Sequence, residues 1–201
     1  RVPGGERWNH RGVRDTRGRA AAECAQTGAA VGVDIDVTLI VDVASEGVRA
    51  PVSNARLREV ALTVLEAERV RDAMVSIALV TAPRIARLNR THLGRAGATD
   101  VIAFALRTGA NEKRTPVVGD IYIAPSVARA NALRFGGGVR EELERLVIHG
   151  TLHVLGYDHP EGDGRTSSRM WRRQEHLLAA ERKGSARRAT AARRPAGRGP
   201  A

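Results

Sequence analysis

Residues 139–155 constrain the fold of this chain more than any other segment. Glutamates occupy the first turns of the predicted helix, where the positive end of the helix dipole favours acidic side chains. The later residues are almost all apolar and cover most of the helix circumference: Leu146, Val147, Ile148, Leu152, Val154 and Leu155. A helix that is apolar on all sides is buried. The sequence therefore predicts a buried helix, which the other elements have to enclose.

Two histidines interrupt this apolar segment. His149 and His153 are four residues apart, so about 400° of helix rotation brings both imidazoles to one face, one turn apart. Gly156 then provides a residue that readily takes the left-handed conformation of a helix end. The chain turns back through Asp158 to His159. The spacing H-x3-H-x2-G-x2-H thus predicts that three imidazoles converge on one point.

Three neutral imidazoles form a ligand set for one zinc ion per chain. In open zinc sites the nitrogens lie about 2.0–2.1 Å from the ion, and water takes the fourth position. Such an ion lowers the pKa of this water to about 7 and polarises a carbonyl or phosphoryl oxygen. We expect the catalytic group to be this water, held at the metal by His149, His153 and His159, and we expect Asp158 to orient an imidazole. Imidazole also suits other transition metals, so the identity of the metal stays open.

The same spacing occurs in zinc metalloproteases of the metzincin group. In those enzymes the residue after the first histidine is the glutamate that acts as general base, whereas here it is Gly150. A peptidase would lack its proton acceptor, which disfavours a metalloprotease. Phosphodiester cleavage depends less on this group, because the metal itself stabilises charge on the phosphoryl oxygens. The other histidines, His10, His92 and His176, are isolated, and we assign them no ligand role.

The periodicity of the remaining segments predicts an α/β (α+β) fold around a four-stranded sheet. Val33 to Val43 alternate between apolar and mostly polar residues, which is typical of a strand with one buried face. Strands and helices alternate first, and helices gather at the end of the chain. We expect strands at about 33–43, 74–80, 101–106 and 119–123, and five helices at about 53–65, 81–91, 124–134, 139–155 and 166–182.

The formal net charge of +11 is concentrated at the two ends of the chain. Residues 1–30 carry +3 and residues 183–201 carry +6, which leaves +2 for the predicted domain at 31–182. We predict that both basic ends are disordered. Such segments bind phosphate polymers without sequence specificity, although a solvated tail without a partner is an equal alternative. The chain opens on Arg1 rather than methionine, so an artefact of the start-site assignment is a further interpretation of the N-terminal segment.

Cysteine content and hydropathy favour a cytoplasmic protein. Cys24 is the one cysteine, which excludes an intrachain disulfide and a cysteine-rich zinc ribbon and favours a reducing compartment. No segment approaches the roughly 18 consecutive apolar residues of a membrane helix. The N-terminal arginines are not followed by the apolar region of a secretory signal. We therefore expect no contact with a membrane.

The motif HGTLHVLGYDH at 149–159 also resembles the signature of the YbeY family of bacterial single-strand-specific endoribonucleases, the rRNA maturation factors. LNRTHLGRAGATDVIAF at 88–104 and GDI at 119–121 are similar to further segments of that family, and the resemblance covers roughly residues 33–180. It implies a compact α/β domain with a mixed four-stranded sheet. It also implies a zinc-dependent hydrolase of single-stranded RNA, acting in 16S rRNA 3′-end maturation and ribosome quality control on the small ribosomal subunit.

The chain departs from the family pattern at three positions. Leu93 stands where some members carry a functional arginine, and Arg95 is expected to substitute for it. Ala98 and Ala103 replace a usual proline and a usual serine. We expect a phosphate track lined by arginines, with solvated surface side chains as the alternative: Arg84, Arg87, Arg90 and Arg95. For three polar residues, local hydrogen bonding is the alternative to contact with RNA: Asn89, Thr99 and Asp100.

One rival to the endoribonuclease is a non-catalytic ribosome-assembly factor. In that protein the metal would be structural, and the basic tails would bind RNA. Structural zinc sites usually have four protein ligands, whereas the motif supplies three. The predicted vacant fourth position therefore favours catalysis.

Overall fold

One four-stranded sheet organises the residues that the structure describes, 38–106, 116–160 and 162–192. In this computed structural model β1 (Thr38–Ser45) is parallel to β2 (Asp72–Leu79) and β2 is parallel to β4 (Val117–Ile123), whereas β3 (Val101–Ala105) is antiparallel to β4. The strand order in the sheet is β1-β2-β4-β3. The predicted mixed four-stranded sheet is thus confirmed.

Five α-helices accompany the sheet in the described part of the chain, which confirms the predicted α/β class. Two of them begin where the sequence predicted, because Ser53 and Thr81 accept hydrogen bonds from the N–H groups of Arg56 and Arg84 at the first turns. A short 3-10 helix at Gly162–Gly164 precedes the last helix. The helices are α1 (Asn54–Ala67), α2 (Ala82–Leu93), α3 (Pro125–Arg134), α4 (Val139–Val154) and α5 (Arg169–Ala192).

Helix α4 is buried, as its apolar circumference predicted. It packs against α1, α3, α5 and two strands, and its side chains from Leu146 to Leu152 are all buried. Gly150 faces β4 so closely that a Cβ at this position would lie 2.7 Å from Cγ2 of Ile121. Close helix–sheet packing therefore requires a glycine here. A glutamate, as in metalloproteases, would have to displace the fully buried Ile121.

Alternate residues of the strands face two separate apolar cores. The larger core lies between the sheet and the helices α1, α4 and α5. The smaller core contains Ile85 of α2 and lies on the opposite face, because Ala78 and Ile102 belong to it whereas their chain neighbours Ile77 and Val101 belong to the larger core. Helix α2 and the loop after it are thereby anchored next to β3.

The C-terminal part of the chain is more regular than predicted. Residues 183–192, which we assigned to a disordered tail, continue α5 as a helix. Alanine and arginine make up most of this segment, and both are strong helix formers. Arg188 also pairs with Glu181, about two turns earlier in the helix, at 3.7 Å. The predicted disordered segment at 1–30, residues 33–37 of the predicted first strand, and residues 193–201 lie outside the described residues.

The described helices do not include a membrane span. Each of them is too short or too polar to cross a lipid bilayer. Even α5, with 24 residues, carries charged side chains along most of its length.

Candidate metal centre

The end of α4 returns the chain to the two helix histidines. Gly156 has a φ of +89°, in the left-handed region. Its N–H donates to the carbonyl of His153 at 2.9 Å, and the N–H of Tyr157 donates to the carbonyl of Leu152 at 3.0 Å. This hydrogen-bond pair is a Schellman motif. The glycine helix end that the sequence predicted therefore brings His159 next to the other two histidines.

The three imidazoles of His149, His153 and His159 face one another. Their ring centroids are 4.6, 5.2 and 5.1 Å apart. The Nε2 atoms of His149 and His153 are 3.1 Å apart, and the candidate ligand atoms of all three residues lie within 4.8 Å of one another. Among the described residues, a search for clusters of histidine, cysteine and acidic side chains that could hold a metal ion finds these three histidines.

Hydrogen bonds on the outer side of each ring determine which nitrogen carries the proton. Each Nδ1 lies next to a carbonyl oxygen, so each Nδ1 has to be the donor. The Nε2 lone pairs then point to the centre of the group, as in metal sites whose ligands are oriented by outer carbonyls. The three acceptors are Oε1 of Gln174 for His149 at 2.8 Å, O of Tyr157 for His153 at 3.0 Å, and O of Pro160 for His159 at 3.1 Å.

Burial keeps the rings of His149 and His153 neutral. Burial lowers the pKa of His149 to about 4, and burial together with the charge of His159 lowers the pKa of His153. The Nε2 atom of His159 is buried and has no hydrogen-bond partner in the described part of the chain. Facing lone pairs and an unsatisfied buried nitrogen are unfavourable without a cation between them. The group fits a zinc-like ion, for which tetrahedral ligand nitrogens are about 3.3 Å apart.

The histidines line a cleft of about 320 Å³. Arg95, the arginine that we expect to substitute at Leu93, lines it too. The other predicted arginines lie elsewhere: Arg87 and Arg90 line a separate pocket of about 230 Å³, and Arg84 pairs with Glu46 at 2.7 Å. The predicted track of four arginines is therefore divided. The remaining residues that line the cleft are Leu93, Val101, Ile102, Ala103 and Asp158.

Comparison with known proteins identifies the family. The family model for endoribonuclease YbeY matches residues 42–181, which include the whole histidine motif. The chain belongs to the YbeY endoribonuclease family. This membership confirms both the resemblance of the HGTLHVLGYDH motif and the predicted enzyme class.

Individual YbeY proteins match over most of their length. A curated endoribonuclease YbeY of Frankia alni is 36% identical over 168 residues, which cover 79% of this chain and 91% of that protein. One of Thermobifida fusca is 37% identical over 149 residues, covering 71% of this chain and 94% of that protein. The solution structure of TM1509 from Thermotoga maritima aligns with a TM-score of 0.51 at 28% identity, and covers 80% of this chain and 100% of that one.

Asp158 has a different contact from the one we predicted for this YbeY chain. Its Oδ1 accepts a hydrogen bond from the main-chain N–H of His159 at 2.8 Å. Among the described residues the side-chain acceptor for one of the three rings is instead Gln174, which lies 25 residues from His149 in sequence. A lone glutamine on the next helix carries no sequence signal for this role. Asp158 therefore contacts the main chain of His159 rather than an imidazole ring.

Three other polar residues make hydrogen bonds within or beside the loop that presents Arg95: Asn89, Thr99 and Asp100. Asn89 is buried and donates to the carbonyl of Gly97 at 3.0 Å, and its own carbonyl accepts from the N–H of Arg95 at 3.3 Å. Asp100 accepts from the N–H of Val101 at 2.9 Å and from the hydroxyl of Thr99 at 3.2 Å. The local hydrogen bonds named as an alternative for these residues are thus present. The isolated histidines are placed apart from the triad: His92 against Phe104, His176 exposed, and His10 outside the described residues.

Gln174→Met is expected to weaken metal binding about 10- to 100-fold, the usual effect of losing an outer partner of a ligand. Methionine has a similar size, but it removes the oxygen that orients the His149 ring. Competition titration with a zinc chelator measures the dissociation constant. Gln174→Glu is the matched control, since it keeps an acceptor oxygen at this position and should retain tighter binding than Gln174→Met. Equal zinc affinity in Gln174→Met and the unaltered chain would show that Gln174 does not orient the ligand.

Proposed function

We propose that this chain is a zinc-dependent endoribonuclease specific for single strands, which matures the 3′ end of 16S rRNA and takes part in ribosome quality control. Family membership supports cleavage of RNA. The observation that carries the proposal is the convergence of three imidazoles on a cleft that also contains Arg95. The resemblance of the motif to rRNA maturation factors supports the ribosomal substrate, with the cytoplasmic small subunit as partner.

His149, His153 and His159 would hold the ion. When bound, zinc supplies Lewis-acid chemistry, because it polarises a phosphoryl oxygen and lowers the pKa of water. The chain prepares the site in advance: the outer hydrogen bonds orient the three rings and leave their Nε2 atoms free of protons. Little reorganisation is then needed when the ion and the substrate arrive.

Arg95 contributes positive charge to the same cleft as the histidines. A guanidinium forms short, charge-assisted hydrogen bonds with phosphate oxygens. Its N–H bond to the carbonyl of Asn89 positions the main chain of Arg95 at the cleft. Leu93, Val101 and Ala103 provide an apolar wall on which the sugar and base of a nucleotide can lie. We assign substrate binding to Arg95 and to this wall.

Geometry favours this function over the two rivals. A metal with three protein ligands at an accessible cleft is typical of catalytic zinc, whereas structural zinc usually has four protein ligands. A peptidase needs a general base after the first histidine, and the contact of Gly150 with Ile121 leaves no room for one. Hydrolysis of RNA is therefore the better supported activity.

The proposal is tested by cleavage of a single-stranded RNA that spans the mature 3′ end of 16S rRNA. The purified chain is expected to contain about one zinc ion and to cut this RNA internally. A chelator should abolish the cleavage, and added zinc should restore it. The same RNA in a duplex, and DNA of the same sequence, serve as controls and should stay intact. If metal-loaded protein binds the RNA but never cuts it, the assembly-factor alternative is correct.

A further inference from the structure

The outward face of α5 carries a row of exposed basic side chains. At about 100° of rotation per residue, Arg169, Arg172, Lys183 and Arg187 fall within an arc of roughly 60° around the helix axis. The acidic residues of α5 lie away from this arc, because Glu175 is about 90° and Glu181 about 150° from its centre. We call this surface the basic row, and it consists of Arg169, Arg172, Lys183 and Arg187.

The basic row does not stabilise the fold through ion pairs. Other arginines of α5 pair with glutamates on neighbouring helices, as Arg173 does with Glu68 and Arg182 with Glu141. Among the described residues, no salt bridge involves a side chain of the basic row. A surface that only provides solubility mixes charges of both signs. A cationic row without acids is instead the arrangement that the phosphates of a nucleic acid require.

The basic row begins beside the metal centre. Arg169 lies over the ring of Tyr157, 5.6 Å from its centroid, and the carbonyl of Tyr157 accepts the hydrogen bond from His153. From Arg169 the row extends about 27 Å along the helix axis, at 1.5 Å per residue. Arg169, beside Tyr157, is thus the end of the row nearer to the metal centre.

We propose that the basic row binds backbone phosphates of the single-stranded RNA that the metal centre cleaves. This inference rests on the proposed function and deepens it, because it assigns a substrate-binding surface outside the cleft. The row offers cations and no base-reading groups, so it should bind RNA without sequence preference. Binding should depend strongly on salt, since each phosphate contact on a single strand contributes about 0.7 to the slope of log K against log salt concentration.

The test compares two variants with the same loss of charge. The row variant is Arg172→Gln/Lys183→Gln/Arg187→Gln, which leaves Arg169 on Tyr157. The control variant replaces three exposed arginines on other elements: Arg49→Gln/Arg58→Gln/Arg129→Gln. Fluorescence anisotropy measures binding of metal-loaded full chains to a nuclease-resistant 2′-O-methyl analogue of a single-stranded RNA of about 20 nucleotides. Salt is varied from about 50 to 400 mM.

The row variant should bind at least about tenfold more weakly at 0.15 M salt, with a salt slope smaller by about 2, since three contacts are lost. The control variant should stay close to the unaltered chain. An unchanged slope in the row variant, or an equal reduction in the control, would overturn the proposal. So would displacement of the RNA by poly-glutamate of matched charge at equal concentration, because the surface would then suit acidic proteins.

Cleavage kinetics separate this inference from the proposed function. The row variant should cleave unmodified single-stranded RNA with a higher KM and an unchanged kcat, because the metal centre is intact. If the unaltered chain never cleaves RNA but binds it through the row, the proposed function fails and the inference stands. If cleavage occurs while the row variant keeps its KM and its salt slope, the inference fails and the proposed function stands.

Discussion

Replacing His153 with alanine is expected to remove the bound metal and to abolish RNA cleavage. Its Nε2 lies 3.1 Å from that of His149, so the substitution leaves two protein ligands where a catalytic zinc site needs three. The rate should fall at least about a thousandfold, because the ion supplies several kcal/mol of transition-state stabilisation. Metal analysis of the purified protein should show about one zinc ion per chain before the substitution and close to none after it.

His176→Ala is the control for this substitution, because His176 is exposed on α5 and lies outside the triad. It should retain both the zinc and the activity. Thermal unfolding distinguishes loss of metal from loss of fold: zinc should raise the Tm of the unaltered chain and of His176→Ala, but not that of His153→Ala. A His153→Ala variant that keeps one zinc ion per chain and full cleavage would exclude the triad as the metal centre.

The metal triad could be predicted from sequence because its geometry is local. All three histidines lie on one helix and the turn that follows it, and Gly156 determines the direction of that turn. Helix periodicity and a glycine helix end are short-range rules that act within a few residues. The burial of α4 followed from its apolar circumference for the same reason. The predicted class of site thus depended on no long-range contact.

Contacts between distant segments were the part that sequence reasoning did not reach. Gln174 approaches His149 only because α5 packs against α4. Arg95 is separated from the arginines of α2 because Gly94, with a φ of +65°, ends that helix and redirects the chain towards the cleft. Proximity in sequence therefore suggested one arginine track. In the structure Arg84 is in an ion pair, Arg87 and Arg90 line a separate pocket, and Arg95 lines the cleft.

Gly150 shows how one residue can be informative for two physical reasons. From the sequence it indicated a missing general base, and this argued against a peptidase. In the structure α4 packs closely against β4 at this position, with no space for a Cβ next to Ile121. Helix–sheet packing and the chemistry of the site therefore place the same restriction on this position.

A buried ion-pair network joins the helices α1, α4 and α5. Arg56 of α1 donates to Glu144 of α4 at 2.9 Å and to Glu181 of α5 at 2.7 Å. The side chain of Arg56 is 13% exposed, and those two glutamates are 9% and 5% exposed. Burial by itself would lower the pKa of Arg56, but its hydrogen bonds and the charges of Glu144 and Glu181 raise that pKa above the ordinary value.

Arg56→Ala is expected to lower the free energy of unfolding by about 3–5 kcal/mol, the usual effect of removing one partner from a buried ion pair. Glu144 would remain in the interior without its cation, and Glu181 would keep only the longer pair with Arg188 at 3.7 Å. Urea denaturation at neutral pH measures this change.

Adding Glu144→Gln and Glu181→Gln to the same variant should recover part of the lost stability, because neutral amides are less costly to bury than unpaired carboxylates. If the free energy of unfolding fell by less than about 1 kcal/mol, the network would contribute no more to stability than solvent-exposed ion pairs do. Since α5 also carries Gln174 and the basic row, a large loss would show that Arg56 secures the helix on which both depend.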